Sequence, residues 1–175
     1  MKKQVILNLL TENHSAFIDF IDDLTFDEFL VSNRGKWTPG QQLDHILLSV
    51  RPVRMVISLP KILLKFLWGK ANRKSRTYDE LVKKYQYKLE MGGRASGRFI
   101  PKKVTFEKKH YVIKKLKKEI VTLRTKLERF SEDELDYYVI PHPLLGKLTA
   151  REMLYFTIYH VEHHNKLTER DLKNN

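Results

Sequence analysis

Apolar residues recur at helical spacing along four long stretches of this chain, and no strand-length run alternates apolar with polar residues. The first stretch, from about Lys3 to Asp23, places Val5, Leu9, Phe17, Phe20 and Ile21 on an apolar stripe. The second opens at Thr38, where an N-cap, Pro39 at the first helical position and Gln41 as capping-box partner occur together. Trp37 precedes the cap and covers the start of the helix, and Leu43, Ile46, Leu47, Val50 and Ile57 carry the stripe onward. Pro52 withdraws one backbone donor and predicts a kink about two turns beyond His45. The third stretch, about Phe106 to Phe130, sets Tyr111, Val112, Leu116, Ile120, Leu123 and Leu127 among lysines and arginines. Thr149 and Glu152 form another capping box and open a last helix that runs to about Lys173.

The segments between these stretches are less regular. Thr77 with Glu80 opens a short helix through about Met91, and Gly92, Gly93, Gly97 and Pro101 mark a loop after it. The most apolar window, Ile46 to Trp68, is broken by Arg51, Arg54, Lys61, Lys65 and two prolines, so it reads as core plus loop and not as a membrane span. Ser131 to Leu148 is a connector with two prolines and a glycine. The expected class is all-α: a four-helix bundle with a basic, partly helical insertion between the second and third long helices. At 175 residues the chain has the length of one domain, read here as spanning 1–175.

Charge changes the picture in one place. The net charge is +12, but Lys61 to Lys118 holds 19 Lys/Arg against 4 Asp/Glu, so the basic character belongs to the middle of the chain. Such a block attracts polyanions, including nucleic acid and anionic lipid surfaces. Its lysines are spread over a helix and a loop with no recognised DNA-binding motif, so nucleic-acid binding is expected to be weak and non-specific at most. The chain has no cysteine, which excludes disulfides, zinc knuckles, iron–sulfur clusters and a cysteine nucleophile. Asn8, Glu12, Asn13 and His14 interrupt the apolar start before it reaches signal-peptide length, so the chain is expected to stay in the cytoplasm.

Without cysteine, any metal has to be held by His, Asp or Glu. His160 and His164 are spaced i, i+4 on the last helix, which points two imidazoles the same way one turn apart. Such a pair alone is more often a solvated pair than a metal site. A third ligand has to come from elsewhere, and His45, two turns into the second helix, is a candidate because bundle helices aim side chains at shared interior points. His163, three residues after His160, is an alternative partner by spacing, although adjacent residues 100° apart cannot both face inward. Asp44 and Glu162 flank the candidates but point about 100° away and read as solvated. His14 and His110 read as surface residues, and Tyr155, Phe156 and Tyr159 as core packing that can also line a pocket. The GGRASG segment lacks a preceding strand and a following Lys-Ser/Thr, so it is not a phosphate-binding loop.

WTPGQQLDHI, then GGRASGRFIPKK, then PHPLLGKLTAREMLYFTIYHVEHH, taken in order and spacing over nearly the whole chain, resemble the DinB-like (DinB/YfiT) four-helix superfamily. The similarity is to the branch with a histidine early in the second helix and H-x-x-x-H in the last. The resemblance implies a divalent-metal site with His45, His160 and His164 as ligands, and it assigns the last position to His164 over His163. It also implies that His142, in a Pro-His-Pro turn, positions the approach to the last helix. Three neutral histidines leave one position open, the pattern of a catalytic site. Zn, Ni, Fe and Mn all accept imidazole, so the metal stays unassigned. The superfamily includes S-transferases that use low-molecular-weight thiols. The implied function is therefore a metal-dependent transferase or hydrolase acting on a small molecule, with a thiol as candidate cosubstrate. The competing expectation is a non-catalytic protein that docks on nucleic acid or an anionic surface through its basic segment. The oligomeric state stays open under either, with a homodimer through bundle faces compatible with both.

Overall fold

The computed structural model describes residues 1–174. In chain order its helices and strands are α1 (Lys3–Asp23), α2 (Phe26–Leu30), α3 (Pro39–Ser58), α4 (Lys61–Trp68), α5 (Tyr78–Glu90), α6 (Lys109–Leu127), α7 (Glu132–Tyr137), β1 (Val139–His142), β2 (Gly146–Thr149) and α8 (Ala150–Lys173). The four long helices close a ring in which α1 and α3 each pack against both α6 and α8. Leu10, Phe17 and Ile21 of α1 meet Leu43, Ile46 and Ile57 of α3, Leu116 and Leu123 of α6, and Leu154 and Ile158 of α8 in one buried core. The class is an all-α helical bundle, with α4 and α5 inserted between α3 and α6 and α5 lying on α8.

The capping boxes at Thr38, Thr77 and Thr149 form, each with its hydroxyl accepting from the third helical N–H and the Gln or Glu side chain returning to the cap. Two more, Thr25 with Glu28 and Ser131 with Glu134, start α2 and α7, short helices that the apolar pattern did not announce. At the end of α5, Gly92 takes a positive φ of 87° and the Gly93 N–H donates to the Lys88 carbonyl. A Cβ on Gly93 would lie 2.6 Å from that carbonyl oxygen, so the turn admits only glycine there.

Three expectations are corrected. The connector before α8 is not plain loop, since Val139 pairs with Thr149 and His142 with Gly146 in an antiparallel hairpin. Strands of only four residues, the first with Pro141 inside, show too little alternation to be read from sequence. The apolar window ending at Trp68, read as core plus loop, ends instead in the helix α4, in which Leu64 is fully buried while Ile62 and Phe66 are 76% and 84% exposed. The pattern gave apolar positions without saying which face of so short a helix finds a partner. His14 lies in the core, not at the surface, its Nδ1–H donating to the Leu10 carbonyl at 2.7 Å. Pro52 lies inside α3, which runs from Pro39 to Ser58.

α8 is enclosed for its first turns, Ala150 through Ile158 being buried without a break. Glu152 accepts from both Arg73 guanidinium nitrogens at 2.6 and 2.7 Å and from the backbone N–H groups of Arg76 and Thr149 at 2.8 and 2.9 Å. Burial alone would raise its pKa, but these bonds outweigh it and hold the carboxyl at about 2. Arg151 is bound by Asp136 and Glu132 and by the Met1 carbonyl.

Burial lowers the His14 pKa from 6.5 to about 4, although its backbone bond to Leu10 works the other way. The unfolded chain therefore takes up this proton first on acidification. The stability that depends on neutral His14 is complete above pH 6.5 and is lost as pH falls towards 4, by about 3 kcal/mol in all. Denaturant melts of the wild type and His14→Leu between pH 7.5 and 4 should show a shallower acid loss in the variant; parallel losses would contradict this account.

Candidate metal centre

The second turn of α3 meets the middle of α8, and the spacing along each helix sets which side chains face each other. His160 and His164 stand one turn apart on α8, and His45 faces them from α3. All three are buried. His45 Nε2 lies 3.2 Å from His160 Nε2, and His164 Nε2 lies 3.1 Å from the same atom. Among the described residues these three form the one group of potential ligands whose atoms all lie within 4.8 Å of one another.

The opposite ring nitrogens explain the arrangement. His45 Nδ1–H donates to the Phe99 carbonyl at 2.8 Å, and His164 Nδ1–H donates to Gln42 Oε1 at 2.5 Å. With the protons fixed on Nδ1, the Nε2 atoms of both rings present bare lone pairs towards His160. Neutral lone pairs at this distance repel unless a proton or a cation lies between them. An ion held by imidazole nitrogens at 2.0 to 2.1 Å in tetrahedral array would space those nitrogens about 3.3 Å apart, which is close to what is seen. Orienting each ligand through its other nitrogen is the usual support of such sites.

Burial pushes all three imidazoles towards the neutral form. It lowers His45 against the opposing effects of the Phe99 bond and the Asp44 charge. It lowers His160 and His164 well below the ordinary value, with the neighbouring histidines adding to the effect. Neutral imidazole is the form that ligates.

Aromatic rings wall the group. Trp37 packs on His45 at 4.9 Å and stacks at 14° over His164, while Phe156 stacks on His160 at 4.7 Å. A cavity of about 380 Å³ opens beside them, lined by His45 and His160 together with Tyr85, Phe99, Phe156, Arg94 and Arg98. His164 does not line it. Two rings thus face the cavity while the third is held behind them.

His163 is half-buried between Tyr85 and Tyr159, outside the three-histidine group. Asp44 accepts from the Lys102 backbone N–H, and Glu162 pairs with Lys166. His142 accepts from the Leu144 and Leu145 backbone N–H groups at 3.1 Å, which shapes the hairpin turn. Its ring also lines the cavity, and burial, aided by the charge of Lys84, lowers its pKa to about 4. Tyr155 is core, whereas Phe156 serves both core and cavity.

Sequence reasoning missed Gln42 and the Phe99 carbonyl. Gln42 had a signal, since it lies three residues before His45 on the same helical face. Phe99 had none, because its role is a backbone oxygen placed by the fold of a loop.

The model of the DinB superfamily matches residues 9–167. The chain belongs to the DinB superfamily. No curated protein and no solved structure matches it. The match takes in His45 of α3 and His160 and His164 of α8, so the whole three-histidine group lies inside the matched region.

Alanine at His45, His160 or His164 should each lower zinc or nickel affinity at least about a hundredfold, His163→Ala should leave it within about twofold, and Gln42→Ala should weaken it about tenfold. Calorimetric titration of each variant measures this. Loss in His163→Ala with retention in His164→Ala would reverse the assignment.

Proposed function

We propose that this is a cytoplasmic metal-dependent enzyme whose 1–175 chain forms one domain. His45, His160 and His164 hold a divalent ion, Zn, Ni, Fe or Mn, and the adjoining cavity receives a small-molecule substrate. The observation that carries the reading is the convergence of three Nε2 atoms, two of them on rings that wall a cavity. A structural ion would have its ligands closed off from any such space.

When bound, the ion would supply Lewis acidity, polarising a carbonyl or holding a thiol as its thiolate. The protein supplies the rest. Gln42 and the Phe99 carbonyl fix the two flanking imidazoles, so the nitrogens need no reorganisation. Tyr85, Phe156 and Met153 give the cavity apolar walls that exclude water from the reacting groups. Burial raises the pKa of Tyr85, which keeps its phenol protonated. His142 accepts at Nδ1, so its neutral ring carries the proton on Nε2 and offers a donor in the cavity wall. Arg94 and Arg98 line the same cavity, Arg94 also bonding the Leu89 and Gly93 carbonyls, and their guanidinium charge would favour an acidic group of the substrate or of a low-molecular-weight thiol there. This donor set and cavity favour transferase or hydrolase chemistry, with thiol S-transfer to an electrophilic small molecule as the leading case.

The test is metal analysis of untagged protein, followed by a thiol-conjugation screen with apo and metal-loaded protein. Conjugation should require both the metal and His160, and Arg98→Ala should raise KM for an acidic thiol several-fold with little change in metal content. Stoichiometric metal without turnover of any thiol or ester probe, and with a cavity that binds none of them, would overturn the enzymatic reading.

A further inference from the structure

α4 is an eight-residue helix that turns most of its apolar residues outward. Ile62, Leu63, Phe66 and Leu67 are 76%, 40%, 84% and 53% exposed. At 100° per residue these four span less than half of the helix circumference, so they form one continuous face. The opposite side anchors the helix: Leu64 has no exposure, and Lys61 Nζ donates to the Arg129 carbonyl and to Glu134. Arg129 reaches the Ile57 and Leu59 carbonyls just before α4, and Lys147 reaches the Trp68 carbonyl at its end. The apolar face is therefore a fixed feature of the fold and not a loosely attached segment.

Charge identifies what this face meets. Between Asp44 and Asp79 the sequence has no acidic residue. Of the bases in that interval, Arg54 is neutralised by Glu119, Lys61 by Glu134, and Arg73 and Arg76 by Glu152. Lys65 and Lys70, exposed within and just after α4, form no ion pair among the described residues. A short apolar face flanked by free lysines matches an interfacial helix, whose apolar side chains enter the acyl boundary while its lysines meet anionic headgroups. A second copy of the chain is a poorer occupant. A helix of roughly 12 Å offers far fewer than the 20 to 30 residues a side of a specific interface, and it would bring like charges together.

We infer that α4 is a membrane-surface docking element that seats the protein on anionic lipid through Ile62, Leu63, Phe66 and Leu67, with Lys65 and Lys70 on the headgroups. Among the described residues no helix is long and apolar enough to cross a membrane, so the contact proposed is with the surface. Trp68, the last residue of α4, also lines the cavity beside the histidines, so docking would bring that cavity within about one short helix length of the lipid. The inference rests on α4 alone and stands whether or not the three histidines carry out catalysis.

Flotation of the full chain with phosphatidylcholine vesicles, with and without phosphatidylglycerol, tests it. Binding should require the anionic lipid, and Ile62→Ser/Phe66→Ser should weaken it at least about tenfold. Lys65→Glu/Lys70→Glu should also abolish binding, and it provides an independent test because both lysines are exposed. Thermal melts should be unchanged in both variants. Three results would each overturn the inference: no flotation with anionic vesicles at low salt; flotation indifferent to the apolar pair, which is the signature of charge alone and would be shared with duplex DNA; or a solution dimer that Phe66→Ser dissociates.

Discussion

α8 has no solvent face over its first turns, and the rest of the molecule is arranged around that fact. A helix enclosed on every side must bury whatever polar side chains it carries, and each one left without a partner costs on the order of 1 to 3 kcal/mol. Arg151, Glu152 and Thr157 are buried within that stretch, and His160, His164 and Thr168 are buried beyond it on the inward face of α8. Thr157 and Thr168 bond back to carbonyls of their own helix. Arg151 draws α7 and the chain start against the helix, and Glu152 draws the loop before α5 against it. His164 draws in α3 through Gln42, and His45 of α3 in turn holds the loop at Phe99. Surrounding elements are thus placed largely by what α8 needs to have satisfied.

The insertion between α3 and α6 consequently does more than add charge. It supplies Arg73 and Arg76 to Glu152, Tyr85 and the Phe99 carbonyl to the histidine group, and Arg94 and Arg98 to the cavity. Lys109, at the start of α6, is also turned inward, where it caps the end of α1 through the Asp22 and Leu24 carbonyls. A block that looks uniformly basic in sequence therefore divides into cations that brace the interior, cations that line the cavity, and the larger remainder, Lys65 and Lys70 beside the exposed apolar face included, that form no ion pair among the described residues. These have different consequences, because a paired and partly buried guanidinium is hardly screened by salt whereas an exposed lysine largely is.

The sequence by itself determined the four long helices, since a stripe at 3.6-residue spacing with a capping box at its head is a local property. The boundaries of α1, α5 and α8 follow from it to within a residue or so. The i, i+4 spacing of His160 and His164 was local in the same sense, and the likeness of WTPGQQLDHI to a family pattern added His45. What only the tertiary structure decided are matters of facing and partnership. Whether His163 or His164 joins the group depends on how α8 is rotated in the bundle, whether His14 is wet or buried depends on α1's neighbours, and whether α4's apolar residues are covered depends on elements far away in sequence. Gln42 and the Phe99 carbonyl became part of the site in that way too, because a hydrogen bond across 122 or 54 residues exists only once the chain has folded. Spacing fixes directions along one element, and packing alone fixes what those directions meet.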